Sequence, residues 1–155
     1  MKPTFVLFPG SWHTADCFDP LVKALADAGY SSVAVTPRCI DSSPPSTTFQ
    51  PDAEAIKDAI VELGDKDVIL VLHSYAGIPG TDAVGDLVAN QPDVAARIKR
   101  LVYLAAFVPM KGENLMGAYT GAPVSIPEAY FIIDVRLFEP SEVRQARVSP
   151  AITLC

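Results

Sequence analysis

The sequence predicts an α/β domain: a mostly parallel sheet in the strand order 2-1-3-4, covered by helices on both faces as a three-layer sandwich. Three observations predict it. Short apolar runs alternate with stretches of helical periodicity in the pattern β-α-β-α-β-α-β, and right-handed crossovers place such strands in one sheet. Residues 4–8 and 68–72 are continuously apolar rather than alternating, as in strands buried on both faces. Half of the 155 residues are apolar, and the mean hydropathy is +0.27. That is enough for one domain with a sizeable core.

The elements follow in order. Residues 4–8 form the first strand and stop at Pro9-Gly10. Asp19-Pro20 reads as a helix N-cap followed by proline at the first helical position. Phe18, Leu21, Val22 and Leu25 keep the i, i+3, i+4, i+7 spacing, and Gly29 ends that helix. Residues 32–36 are the second strand. Residues 37–50, with Pro37 and Ser42-Ser43-Pro44-Pro45-Ser46, have no period and read as loop. Pro51 opens a second helix with Ile56, Ala59, Ile60 and Leu63 on one face and Gly64 at its end. Residues 68–72 are the third strand. A third helix is expected from near Tyr75 to about Asn90, with Pro79 tolerated in its first turn. Residues 101–108 are the fourth strand, ending at Pro109. Residues 1–109 thus form the core. Residues 110–155 are expected to be a partial lid region and an irregular tail: 110–127 are rich in Gly and Pro, 130–137 fit either a helix or a strand, and 140–155 show neither period.

Composition excludes several classes. The net charge is −6, and the basic residues are scattered apart from Arg97-Ile98-Lys99-Arg100. No stripe would track phosphates, so no nucleic acid is expected. Cys17, Cys39 and Cys155 are odd in number and far apart, and there are two histidines. No metal and no cofactor is expected, and the thiols suit a reducing, cytoplasmic setting. No run approaches the roughly 18 apolar residues of a membrane span, and the N-terminal apolar stretch is too short for a signal peptide.

In the expected sheet, strands 1 and 3 are neighbours whose connections leave toward opposite faces. Ligands bind beyond the carboxyl ends of the strands at such a switch point. Two loops meet there: Pro9-Gly10-Ser11-Trp12-His13 and His73-Ser74-Tyr75-Ala76-Gly77. A serine hydroxyl needs a base to take its proton and donors for the resulting oxyanion. A sharp strand-to-helix turn presents the hydroxyl above the sheet, beside free N–H groups at the helix start. The usual signature is G-x-S-x-G. Leu72 and Ala76 occupy the glycine positions here. Ala76 is small and Gly77 follows, so Leu72 is the more serious departure, expected to strain the backbone. Locally, Ser74 also fits a plain helix cap.

The two loops, the continuation to Gly80, and Leu101-Val102-Tyr103-Leu104-Ala105-Ala106-Phe107-Val108-Pro109 resemble, over residues 3–130, the α/β-hydrolase superfamily. The resemblance is to its small methylesterase and hydroxynitrile-lyase-like branch. It implies a partial α/β-hydrolase fold with Ser74 as catalytic nucleophile. The backbone N–H groups of Ser11 and Tyr75 would form the oxyanion hole. Gly10, Trp12, His13 and Phe107 would line the substrate pocket. Pro9-Gly10 stands where the family often has His-Gly, which removes one polar side chain.

In that superfamily the triad runs Ser, then Asp or Glu, then His along the chain. Asp134, Glu139 and Glu142 follow Ser74 without a strand-then-loop context, and no histidine follows His73. No acid or base is therefore assigned. His73 is expected to pack beneath the turn, and His13 to orient its loop or touch substrate. The sequence is expected to be a C-terminally truncated relative or one whose later part is lost. Strand 4 would then be an uncovered edge open to self-association. The expected function is that of a serine hydrolase, esterase-like, acting on a small, largely apolar ester and weak or inactive for lack of the later histidine. The alternatives are a non-catalytic remnant or binding protein of the same fold, or a lyase on that scaffold. A nucleotide-binding domain is disfavoured, because one glycine followed by Trp12 would block a pyrophosphate.

Overall fold

The structure, a computed structural model, describes residues 2–40, 46 and 48–108. Four strands make one sheet in the order β2-β1-β3-β4: β1 (Thr4–Phe8), β2 (Ser31–Ala34), β3 (Val68–His73) and β4 (Ile98–Leu104). Every pairing is parallel. The helices are α1 (Asp19–Asp27), α2 (Gln50–Glu62), α3 (Gly77–Asn90) and the short α4 (Pro92–Ala95). The layered parallel architecture and strand order are those expected from the sequence.

The continuous apolar runs of β1 and β3 serve two faces at once. Successive strand side chains point to opposite sides. Val6, Phe8, Leu70 and Leu72 pack with Ile56 and Ile60 of α2 and Ala83 and Leu87 of α3. Phe5, Leu7, Ile69 and Val71 pack with Phe18 and Leu25 on the α1 side. Each such fully buried Leu, Ile or Phe contributes about 1.5–3 kcal/mol of transfer free energy. On the two-helix side Lys57 bonds Asp86 at 2.8 Å, linking α2 to α3. Arg97 closes the end of α2 by donating to the carbonyls of Gly64 and Ile60, which the helix leaves without internal partners.

Several boundaries differ from the sequence expectation, among them the second strand, which runs Ser31–Ala34 rather than over residues 32–36. A 3-10 turn, Ala15–Phe18, precedes α1, so Asp19 is the first helical residue and makes no side-chain cap bond; Pro20 keeps its place in the first turn. The fourth strand starts at Ile98 and ends at Leu104, three to four residues earlier than residues 101–108. Its pairing is set by β3. Val68 N–H donates to Arg97 O at 2.8 Å, and a register shift at Val68/Ile69 admits an extra residue. An edge strand tolerates the exposed charges of Lys99 and Arg100. Ala105, at φ +44°, then turns the chain out of the sheet. Four-residue α4 is too short for a periodic pattern to mark it. The expected lid and tail, residues 110–155, lie outside the described residues.

Residues Ala106 to Val108 come back across the start of α3. Gly77 there is in contact with the Phe107 backbone: a Cβ at Gly77 would overlap the Phe107 carbonyl oxygen and stand 2.9 Å from its carbon. Gly85, exposed on the same helix, has nothing within 4 Å of a Cβ position. Gly77→Ala is expected to lose about 1–3 kcal/mol by forcing two backbones apart. Gly85→Ala is expected to gain about 0.5–1 kcal/mol from helix propensity. Urea midpoints of the two variants, at unchanged slope, measure both.

Candidate active site

The carboxyl ends of β1 and β3 lie side by side, with Phe8 paired to Leu72. The loops that leave them therefore start in contact. Gly10 is buried. A Cβ there would come within 3.0 Å of Ser74 Cβ and 3.2 Å of His73 Nδ1. A side chain at position 10 would crowd Ser74 and His73, and its absence lets the two loops meet closely.

The first loop turns tightly after Gly10. His13 N–H donates to Gly10 O at 3.3 Å, and His13 Nδ1 lies 2.8 Å from Ser11 O. Trp12 sits at φ +64°, and its indole is 93% exposed. Ser11 is half-buried, and the imidazole of His13 is exposed.

The second loop is a strand–turn–helix corner. β3 ends in extended backbone at His73, φ −100° and ψ 129°. Ser74 reverses to φ +54°, a conformation that costs an L-residue about 1–2 kcal/mol. A single 3-10 turn, Ser74–Ala76, leads into α3. The corner is held from outside. Phe107 N–H donates to Ser74 O at 3.1 Å, the contact at Gly77 brings that same residue onto the helix, and Ala76 is fully buried. Phe107 thus reaches the corner through its backbone, with its side chain half-buried.

The departure at Leu72 has a local answer. Its side chain is fully buried and lies over Gly80, where a Cβ would overlap both Leu72 Cδ atoms and stand 3.0 Å from Cγ. A leucine before the corner is accommodated by a glycine one turn into the helix. The signal was present in the spacing of Leu72 and Gly80, but it reads only once a helix axis is laid against the strand.

Asp52 is the residue that sequence reasoning missed. It is 1% exposed, in the first turn of α2. Tyr75 Oη–H donates to its Oδ2 at 3.1 Å, and Cys39 N–H donates to its Oδ1 at 2.9 Å. Burial first, and then the Asp52 carboxyl, pushes the Tyr75 hydroxyl well above the usual tyrosine range, so it stays a hydrogen-bond donor. After Pro51, an acid in a first helical turn reads as ordinary dipole complementation, which hides the contact.

His73 is half-buried beside Gly10, with its ring 6.4 Å from that of His13 and nearly perpendicular to it. Burial, then the neighbouring His13, lowers its pKa. Among the described residues no three His, Cys, Asp or Glu side chains gather as metal ligands, and no helix is long and apolar enough to cross a membrane. Asp134, Glu139 and Glu142 lie outside the described residues.

A parallel sheet with a left-handed serine between strand and helix is the frame on which the comparisons bear. The model of the alpha/beta hydrolase family matches residues 5–152. The chain belongs to the alpha/beta hydrolase family. It is 35% identical over 120 residues to the alpha/beta hydrolase nvfD of Aspergillus novofumigatus, covering 76% of this chain and 48% of that one. It is 33% identical over 132 residues to a carbendazim hydrolyzing esterase of Nocardioides sp., covering 83% and 52%. The chain therefore spans about half the length of these curated relatives. Among solved structures, polyneuridine aldehyde esterase superposes with a TM-score of 0.63 at 22% identity, over 77% of this chain and 46% of that one, which is a likeness of fold. The family is of hydrolase and esterase type.

Two outcomes test this geometry in an alpha/beta hydrolase whose signature departs from G-x-S-x-G. Gly80→Ala is expected to lose about 1–3 kcal/mol through overpacking. Leu72→Ala combined with Gly80→Ala is expected to be more stable than the sum of the single changes implies, because each relieves the other; a urea double-mutant cycle reads the coupling. His73 gives the second. Its folded pKa lies below its ordinary 6.5, so the unfolded chain takes up the proton first as pH falls. The stability it confers is complete above the unfolded value and declines as pH drops from there through the folded value. His73→Gln is expected to flatten the loss of urea midpoint as pH falls below the ordinary histidine value of 6.5.

Proposed function

We propose that this protein is a serine esterase acting on a small, largely apolar ester, with Ser74 as its nucleophile. The observation that carries the reading is the backbone of Ser74, at φ +54° between β3 and α3, with buried Gly10 against its Cβ. A strained strand-to-helix turn lifts a serine hydroxyl above the sheet and beside helix N–H groups. In this reading the N–H groups of Ser11 and Tyr75 receive the oxyanion, and Gly10, Trp12, His13 and Phe107 border the substrate. The hydroxyl attacks the ester carbonyl, the tetrahedral intermediate expels the alcohol, and water later releases the acid. The carbendazim hydrolyzing esterase among the relatives supports an ester-cleaving chemistry, and exposed Trp12 supports an apolar substrate.

Proton transfer sets the rate. No histidine follows His73 in this sequence, so the 155-residue chain by itself turns over weakly; oxyanion donors and binding alone leave about 10³–10⁴-fold over water. A second reading is a binding protein of this fold without turnover. Residues Leu101 and Leu104, 37% exposed on the edge strand β4, support self-association through that edge. The thiols of Cys17 and Cys39 are consistent with a cytoplasmic setting.

A fluorophosphonate probe forms a stable adduct with a nucleophilic serine, and high probe concentration and long incubation reveal a slowly reacting one. Wild-type chain is expected to label, and Ser74→Ala to fall to background with its thermal midpoint kept. Absence of labelling in wild type, or labelling that survives Ser74→Ala, overturns the serine nucleophile. Release of alcohol from short-chain aryl esters that is lost in Ser74→Ala excludes the pure binding reading.

A further inference from the structure

We infer that Asp52 is a positioning residue for the corner that carries Ser74, acting through the hydroxyl of Tyr75. The inference rests on the reading of Ser74 as nucleophile and extends it to a residue outside the triad pattern. Asp52 is the sole charged side-chain type among the fully buried residues of the described core, and a buried carboxyl is retained at a cost unless its oxygens are bonded. Both are bonded, to groups from two different segments. Oδ2 accepts from Tyr75 Oη, the residue directly after Ser74, at 3.1 Å. Oδ1 accepts from the backbone N–H of Cys39, in the connection between β2 and α2, at 2.9 Å.

The carboxyl is itself rigidly placed. Asp52 N–H and Ala53 N–H both donate to Phe49 O, at 3.0 and 3.1 Å, which fixes the first turn of α2. Ala53, Ala55 and Ile56 beside it are buried. Tyr75 is thus tied at its far end to a helix of the core, while its near end lies in the 3-10 turn beneath Ser74. Rotation of the Ser74–Tyr75 peptide would drag the phenol away from Asp52. In the proposed mechanism that peptide supplies the Tyr75 N–H to the oxyanion, and donors to a developing charge act only when held in place beforehand. The Asp52–Tyr75 bond makes that donor geometry more costly to leave. It also predicts coupling between the β2–α2 connection and the site, because the one carboxyl serves both.

The test uses the 155-residue chain, a fluorophosphonate probe, and labelling rates per folded molecule, with KI and kinact separated. Tyr75→Phe removes one oxygen and should fold. It is expected to lower kinact about tenfold with KI little changed, the size expected for losing one hydrogen bond to a positioned group. Asp52→Ala is expected to do the same, and the double change D52A with Y75F to add nothing further, because both break one contact. D52N is expected to restore most of the rate lost in D52A: its carbonyl can accept from Cys39 N–H and its amide can donate to Tyr75 Oη. A purely structural Asp52 would lower the thermal midpoint and leave kinact per folded molecule unchanged in Y75F; that result overturns the inference while Ser74 stands. Additive losses in the double variant overturn it as well. If wild type does not label, or Ser74→Ala does, the nucleophile reading fails and this inference falls with it.

Discussion

The left-handed backbone at Ser74 is the constraint around which the rest is arranged. A non-glycine residue at φ +54° is held there only where its surroundings over-determine it. Three backbones do so. Gly10 from the first loop lies against Ser74 Cβ. Phe107 donates to Ser74 O and rests its carbonyl on Gly77. β3, fully buried through Leu72, fixes the direction from which the chain arrives. Glycine at 77 is required by close approach rather than by unusual torsion, since a Cβ there would push the Phe107 backbone away, and at 10 a Cβ would crowd the side chains of Ser74 and His73.

The placement of the sheet follows from the same constraint. The corner sits at the carboxyl end of a central strand with partners on both sides, β1 and β4. Movement at Ser74 would therefore have to shift core packing on both faces, through Leu72 on one and Val71 on the other. A packed interior of this density resists small displacements. A strain of about 1–2 kcal/mol at one residue is small beside the burial free energy of those two faces. It can persist without local flexibility.

The fold was legible because its signals are long-range in pattern and local in chemistry. Continuous apolar strands and proline-opened helices mark the layers, and the right-handed crossover rule leaves little choice of strand order. The ends of β4 were less legible. Arg97, Lys99 and Arg100 look like a solvated face, yet the register with Val68 pulls Ile98 into the sheet. The meeting of the loops at Gly10 and Ser74 was legible, since it follows from β1 and β3 being adjacent. Asp52 and Gly80 were not. Each matters through one contact between elements, Asp52 with Tyr75 and Gly80 with Leu72. No period or motif marks a contact between helix and corner.

Holding a serine in a strained corner and removing the proton from its hydroxyl are separate problems that call on different groups. Among the described residues, the contacts that hold the backbone of Ser74 come from Gly10, Phe107 and the start of α3. Proton removal from the hydroxyl calls for a group of suitable basicity at hydrogen-bond distance, and the two imidazoles here are arranged around the first loop instead. His13 bonds back to Ser11 O, and His73 is wedged beside Gly10 with its charged form disfavoured by burial and by His13. Packed this way, His73 closes the first loop against the corner.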